Sequence, residues 1–257
     1  MTSLATLLAE ARRQVRQIPY LPAALIPPDA AAGYDIAAEV AARLEWEPLG
    51  WKIAGTTAAM RARLTVHEPI RGRTWRRFET PSPAVLNHAE LLDPLVECEF
   101  FVTLGRDLPY RNAPFTTADI QAAVASVHAG IEVAECRFPM AALPPWPAIL
   151  ADGSASGRYV VGDAIPVWRQ GLRDVEVVLE VDGVVRRQGR GADVMGDPLA
   201  PILWLTTALR QRGEGLRAGE MISTGSCTGM LPIGAGQRVR AVFGGVAVVE
   251  ISFDGPA

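Results

Sequence analysis

The run PLVECEFFVTLGRDLP, residues 94–109, constrains the fold more tightly than any other part of the chain. Side chains alternate faces along a strand, so Leu95, Glu97, Glu99 and Phe101 point one way while Val96, Cys98, Phe100 and Val102 point the other. Both faces are mostly apolar, which predicts a buried strand. Glu97 and Glu99 then share a face, ~7 Å apart along the strand, where two unpaired carboxylates would repel each other and be costly to desolvate. A divalent cation between them removes both costs, and all-oxygen ligation points to Mg²⁺, Mn²⁺ or Ca²⁺ over zinc. The same pattern also fits an edge strand with solvated glutamates, or glutamates paired with arginines. GIEVAECRF, residues 130–138, offers a third acid. Glu132 and Glu135 fall on opposite faces of such a strand, and the pattern leaves the choice between them open.

Flanking segments set the fold class. Residues 1–18 read as a helix with Leu4, Leu7, Leu8, Ala11 and Val15 on one face, and a proline-rich loop leads to a second helix starting near Asp29 as N-cap. LGWKIAGTT is a strand candidate. From about residue 65 the pattern is mainly β: RYVVGDAIPV, VEVVLEVDGVVRRQGRG with VDGV as a hairpin turn, MISTGSCTGMLPI, QRVRAVFGG and VAVVEISF. Two further helices are expected, TTADIQAAVASVHAGIE, capped by Thr116 or Thr117 with Asp119 in its first turn, and DPLAPILWLTTALRQRGEGL, closed by Gly213 or Gly215. The expectation is an α+β chain with a helical N-terminal lobe over residues 1–65 and a β-rich catalytic domain over residues 66–257.

Net charge is −3 with no block of like charge, which argues against nucleic acid or an anionic membrane as main partner. No apolar run reaches the ~20 residues that span a bilayer. The N-terminal segment reads as an amphipathic helix and not as a signal peptide. Cys98, Cys136 and Cys227 show no C-x-x-C spacing, so reduced thiols in a cytoplasmic protein are expected, without a cysteine zinc site.

Two other segments carry polar groups in apolar settings. Lys52 lies in the strand-like GWKIAG, where burial would lower an ammonium pKa and fit it for acid–base work; a lysine snorkelling from the strand end is the alternative. TGSCTG, residues 224–229, presents hydroxyls and backbone N–H groups that would hold a carboxylate or oxyanion, or else forms a glycine-rich turn. His67, His88 and His128 show no metal spacing, and His128, on the expected helix, reads as a packed or capping residue.

These segments together resemble the fumarylacetoacetate hydrolase superfamily, in its 2-keto-4-pentenoate hydratase and 4-oxalocrotonate decarboxylase branch. GWKIAGTT is similar to the branch's G-W-K-I-G-x-T, PLVECEFFVTLGRDLP to its E-x-E followed by L-G-x-D-L-P, and GIEVAECRF to the segment with its third acid. GLRAGEMISTGSCTGMLPIGAGQRVRAVFGG is similar to G-L-x-x-G-D-x-x-x-T-G-S-x-T-G and the closing strands. The resemblance spans roughly residues 45–255, with the motifs in the family's order. It implies a mixed β-sandwich or β-roll core and a Mg²⁺ or Mn²⁺ ion held by Glu97, Glu99 and Glu132. It further implies Lys52 as an active-site group, and Thr224, Gly225 and Ser226 as substrate-binding residues.

The substrates so implied are 2-keto acids or their enols, which chelate a metal through the carboxylate and 2-oxygen. The leading expectation is a hydratase adding water to a 2-hydroxy-2,4-dienoate. Alternatives are decarboxylation of a 4-oxalocrotonate-like keto diacid, hydrolysis of an acylpyruvate carbon–carbon bond, and a non-catalytic scaffold. The branch also implies a homo-oligomer, alone or with a pathway decarboxylase or hydratase. The chain departs from the branch at VHEPIRGRTWRRF, where hydratases carry P-D-F-G or P-D-Y-G. Ile70 replaces the aspartate and Arg71 the aromatic residue. His67 and Glu68 are candidate acid–base substitutes, and Arg71 and Arg73 are candidates for a second substrate carboxylate. Asp197 and Thr207 replace two further family asparagines.

Overall fold

A computed structural model describes residues 2–255; Met1 of the expected first helix and Pro256 and Ala257 of the expected β-rich domain lie outside them. The chain begins with helices α1 (Leu4–Gln14) and α2 (Ala30–Leu44). Ser3 caps α1 and Asp29 caps α2, each accepting a backbone N–H three residues on. Then come β1 (Pro48–Ala54), α3 (Ala58–Leu64), β2 (Ile70–Trp75), β3 (Glu79–Pro81), β4 (Ala84–Asn87) and β5 (Leu95–Leu104). The middle of the chain forms α4 (Thr117–Ala123), β6 (Val124–Ala134), α5 (Trp146–Ala151), β7 (Arg158–Ala164), β8 (Glu176–Val181) and β9 (Val184–Arg190). It closes with α6 (Ala200–Arg210), β10 (Met221–Ser226), β11 (Leu231–Pro232), β12 (Arg238–Phe243) and β13 (Ala247–Asp254).

The strands form two sheets. The larger has the order β2-β1-β10-β5-β6-β7-β3, with β11 also paired to β5; the smaller has the order β4-β13-β12-β8-β9. As β5's sequence requires, the strand sits mid-sheet and is buried on both faces. Its Cys98–Phe100–Val102 face packs on the smaller sheet, where Phe100 and Phe243 meet edge to face at 5.2 Å. The VDGV turn joins β8 to β9 with Asp182 and Gly183 both at positive φ, the geometry a two-residue hairpin loop needs. β1 falls within residues 1–65, yet it is hydrogen-bonded into the larger sheet between β2 and β10.

One expected helix is half strand. Thr116 and Asp119 form a capping box at the start of α4, but the helix ends at Ala123, and Val124–Ala134 pairs with β5 along its length. The alanine-rich sequence favours helix locally; hydrogen bonding to β5 and burial between the layers override that preference. His128 therefore lies on a strand, hydrogen-bonded to Gly162 O and Ser126 Oγ. Among the described residues no helix is long and apolar enough to cross a membrane.

Candidate active site

Strand register assembles a polar row across the larger sheet. Glu97 pairs with Glu132, and Glu132 with Tyr159; on the other side Glu99 pairs with Ser226, Phe101 with Ser223, and Ser223 with Lys52. Directly paired residues point to the same face, so five strands place Tyr159, Glu132, Glu97, Glu99, Ser223 and Lys52 together. Carboxylate oxygens of Glu97, Glu99 and Glu132 lie within 4.8 Å of one another, all buried. Gly130, paired with Glu99, has no side chain because a Cβ there would stand 2.6 Å from the Phe101 ring.

Each acid has partners that fix it. Glu132 lies 3.1 Å from Lys52 Nζ and accepts from Tyr159 Oη at 3.3 Å and from Ser223 Oγ at 3.4 Å. Glu99 accepts from Ser223 Oγ and from the Gly225 N–H, the latter at 2.9 Å. A one-residue bulge between Ser223 and Ser226 aims that N–H at the carboxylate. Gly225 has φ +105°, and a Cβ there would come within 2.5 Å of Thr56, so the position requires glycine. Lys52 also donates to Ser154 O at 3.0 Å.

Electrostatics follow from this crowding. Burial pushes the Glu97 carboxyl up to about 7, with Lys52 opposing and Glu132 adding to the shift. Burial and the other two acids raise Glu99 well above the usual range; burial also raises Glu132 against the pull of Lys52. Burial alone would lower the Lys52 pKa, as the sequence led us to expect. The three glutamates outweigh burial, and the net shift is upward.

A cavity of about 170 Å³ opens onto this row, lined by Lys52, Glu97, Glu99, Thr56, Ile70 and Ser226 among others. Glu132 sits behind it, fully buried. Ser226 Oγ is buried beside the Glu97 carboxylate, without a well-aligned hydrogen bond to it. Thr224 turns away and donates to Phe100 O. Glu135 is held by the Leu92 N–H and Arg158, 3.0 and 3.5 Å away.

The remaining candidates lie elsewhere. His67 and Glu68 are exposed and do not line the cavity; Glu68 accepts from Trp204 Nε1 at 3.3 Å. Arg71 and Arg73 pair with Ile53 and Trp51, so alternation puts them on the side of β1–β2 away from Lys52, and neither lines the cavity. Sequence reasoning missed Ser223, Tyr159 and Ser154. A serine two positions before Gly225 in a strand was a weak cue for Ser223; the other two depend on register and on the turn after α5.

Residues 60–255 match the family model described as fumarylacetoacetate hydrolase, C-terminal. A 4-oxalocrotonate decarboxylase of Pseudomonas putida is 30% identical over 206 residues, covering 80% of this chain and 77% of its own. A 2-keto-4-pentenoate hydratase of Burkholderia vietnamiensis is 30% identical over 214 residues, covering 80% and 78%. The structure of 4-oxalocrotonate decarboxylase from Pseudomonas putida G7, in complex with magnesium and adipate, superimposes with a TM-score of 0.90 at 28% identity, over 97% of this chain and 95% of that one.

Proposed function

The chain belongs to the fumarylacetoacetate hydrolase family, and from that premise we propose that it is a divalent-metal-dependent lyase that adds water to a 2-hydroxy-2,4-dienoate or its keto form. The convergence of Glu97, Glu99 and Glu132 beside Lys52 carries this reading. Three buried carboxylates and one ammonium leave a formal charge of −2 when all are ionised, which a divalent cation neutralises. The all-oxygen donor set suits Mg²⁺ or Mn²⁺. The structurally similar decarboxylase binds magnesium, which supports the assignment.

A cation held by the three glutamates would supply Lewis-acid stabilisation of charge developing on the substrate 2-oxygen. The protein's own residues do the rest. Ser223, Gly225 N–H and Tyr159 lock the carboxylates in place, so little reorganisation is left for the reaction. Lys52, held by Glu132 and Ser154 O, is the proton donor facing the cavity. Ser226 Oγ, in the cavity lining beside Glu97, offers a polar atom to a substrate carboxylate. Arg63 is the other cation in the lining and would take the far end of a longer acid. Apolar Met60, Leu64, Ile70 and Leu95 exclude bulk water.

Decarboxylation of a 4-oxalocrotonate-like diacid is the second reading, and Ile70 favours it. Where the hydratases carry an acid–base aspartate, this chain puts a buried alkyl group against the cavity. The two lining carboxylates outside the triad are already engaged: Asp93 with Gln17 and the Met140 N–H, Glu135 with Leu92 and Arg158. Loss of CO₂ needs no water-activating base, whereas hydration does. NMR product analysis with Mg²⁺ or Mn²⁺ on 2-hydroxypenta-2,4-dienoate and on 4-oxalocrotonate tests both readings. Formation of 4-hydroxy-2-oxopentanoate from the first supports hydration, CO₂ release from the second supports decarboxylation, and inertness toward both with metal bound overturns the lyase assignment. The proposed setting is a homo-oligomer in the cytoplasm acting on a small keto acid; light scattering would read the assembly.

A further inference from the structure

A second cavity, of about 230 Å³, lies on the other side of β1–β2, between those strands and α2. Its lining includes Tyr34, Trp51, Arg71, Arg73, Arg212 and Glu214. The charges there are not evenly matched. Arg73 is paired with Glu220 at 2.7 Å, Arg212 with Asp35 at 2.5 Å and with Glu214 at 3.5 Å, and Arg12, which also borders the cavity, with Asp152 at 3.2 Å. Arg71 alone of these cations forms no ion pair among the described residues. It is only 6% exposed, its guanidinium lies 4.0 Å from the centre of the Tyr34 ring, and its Nε has no acceptor.

A second orphan donor stands beside it. Trp51 is also 6% exposed, its ring centre lies 6.0 Å from the Arg71 guanidinium, and its Nε1–H is buried without a partner. Glu214, in the same lining, eases the Arg71 charge without forming an ion pair with it, but a buried guanidinium Nε–H and a buried indole N–H that both lack acceptors are each costly. One oxyanion between them would satisfy both. We propose that this cavity is a binding site for a small oxyanion, a carboxylate or a phosphate, gripped by the Arg71 guanidinium and the Trp51 indole N–H and flanked by the Tyr34 ring.

The site touches the first cavity through the backbone. Trp51 precedes Lys52 on β1, with opposite orientation. Ser154 Oγ donates to Arg71 O at 2.7 Å, and Ser154 O accepts from Lys52 Nζ at 3.0 Å.

Isothermal titration calorimetry of the Mg²⁺-loaded protein with succinate and, separately, inorganic phosphate tests the site and separates the two sources of oxyanion. Saturable binding of either is expected. Arg71→Met and Trp51→Phe should each weaken it by about tenfold or more, while Glu99→Gln, which loses the metal and with it any anion binding at the triad, leaves binding at this cavity unchanged. Trp51→Phe keeps an aromatic side chain on β1 and introduces no charge, so it remains informative if Arg71→Met fails to fold. Absence of saturable binding of both anions overturns the proposal. Binding that survives Trp51→Phe but is lost in Glu99→Gln overturns it too, because the anion then sits at the triad.

Discussion

Lys52 Nζ lies 3.1 Å from Glu132 Oε1, and both side chains are almost fully buried. This ion pair ties β1 to β6 across the intervening strands β10 and β5. Lys52→Met should leave Glu132 as an uncompensated buried acid, costing about 3 kcal/mol of stability. It should also lower turnover by about 10²–10⁴, as loss of a proton donor does, with KM changed much less. Denaturant unfolding and steady-state kinetics check the two effects. Adding Glu132→Gln to Lys52→Met should restore stability but not turnover.

Glu99→Gln should abolish stabilisation by Mg²⁺. At a metal concentration of about 100 Kd the parent protein gains about 2.7 kcal/mol, a rise of roughly 5–10 °C in Tm for a chain of this size. The variant should show no such rise. Without metal it should be at least as stable as the parent above pH 7, since one of three mutually repelling acids is gone. Thermal melts with and without Mg²⁺ read both effects, and the second separates loss of metal binding from general damage.

The metal-free protein should lose stability as pH rises. Glu97 titrates near 4.5 when unfolded and at about 7 when folded, because burial disfavours its charged form. Between those values the native state holds a proton that the unfolded state has released, so unfolding becomes easier as pH increases. This contribution is fully present below about pH 4.5 and lost through about pH 7, with a size of order 3 kcal/mol. Saturating Mg²⁺ should flatten the slope. A metal-free protein whose stability rises over that interval would contradict the burial of three acids.

Ile70→Asp should move the reaction balance. The side chain lines the cavity where the hydratase segment carries its aspartate. Supplying a carboxylate there should raise hydration of 2-hydroxypenta-2,4-dienoate by about tenfold or more relative to CO₂ loss from 4-oxalocrotonate. It should also cost about 1–3 kcal/mol of stability for burying a polar group. Parallel NMR assays give the ratio.

Much of the site was written in local pattern. The strict alternation of Val96, Glu97, Cys98, Glu99 and Phe100 places both acids on one face of a buried strand, whatever the rest of the fold. The same holds for Lys52 inside an apolar strand and for the Asp29 and Thr116 helix caps. These features depend on residue spacing within a single element, and the period of the element determines them.

Contacts between elements were set only by tertiary structure. Glu132 joins the triad because β6 pairs with β5 in the register that sets it opposite Glu97; a different register would have offered another residue. That same pairing turned the second half of an expected helix into strand. Arg71 and Arg73 alternate as visibly as the glutamates do, but nothing local says which face of β2 fronts the cavity. The antiparallel partnership with β1 decided it, sending Ile70 toward Lys52's side and both arginines to the other. The sequence determined the period of each strand and therefore which residues travel together. The folded sheet determined which of those sets meet, because register and facing are fixed by burial and hydrogen bonding between segments far apart in the chain.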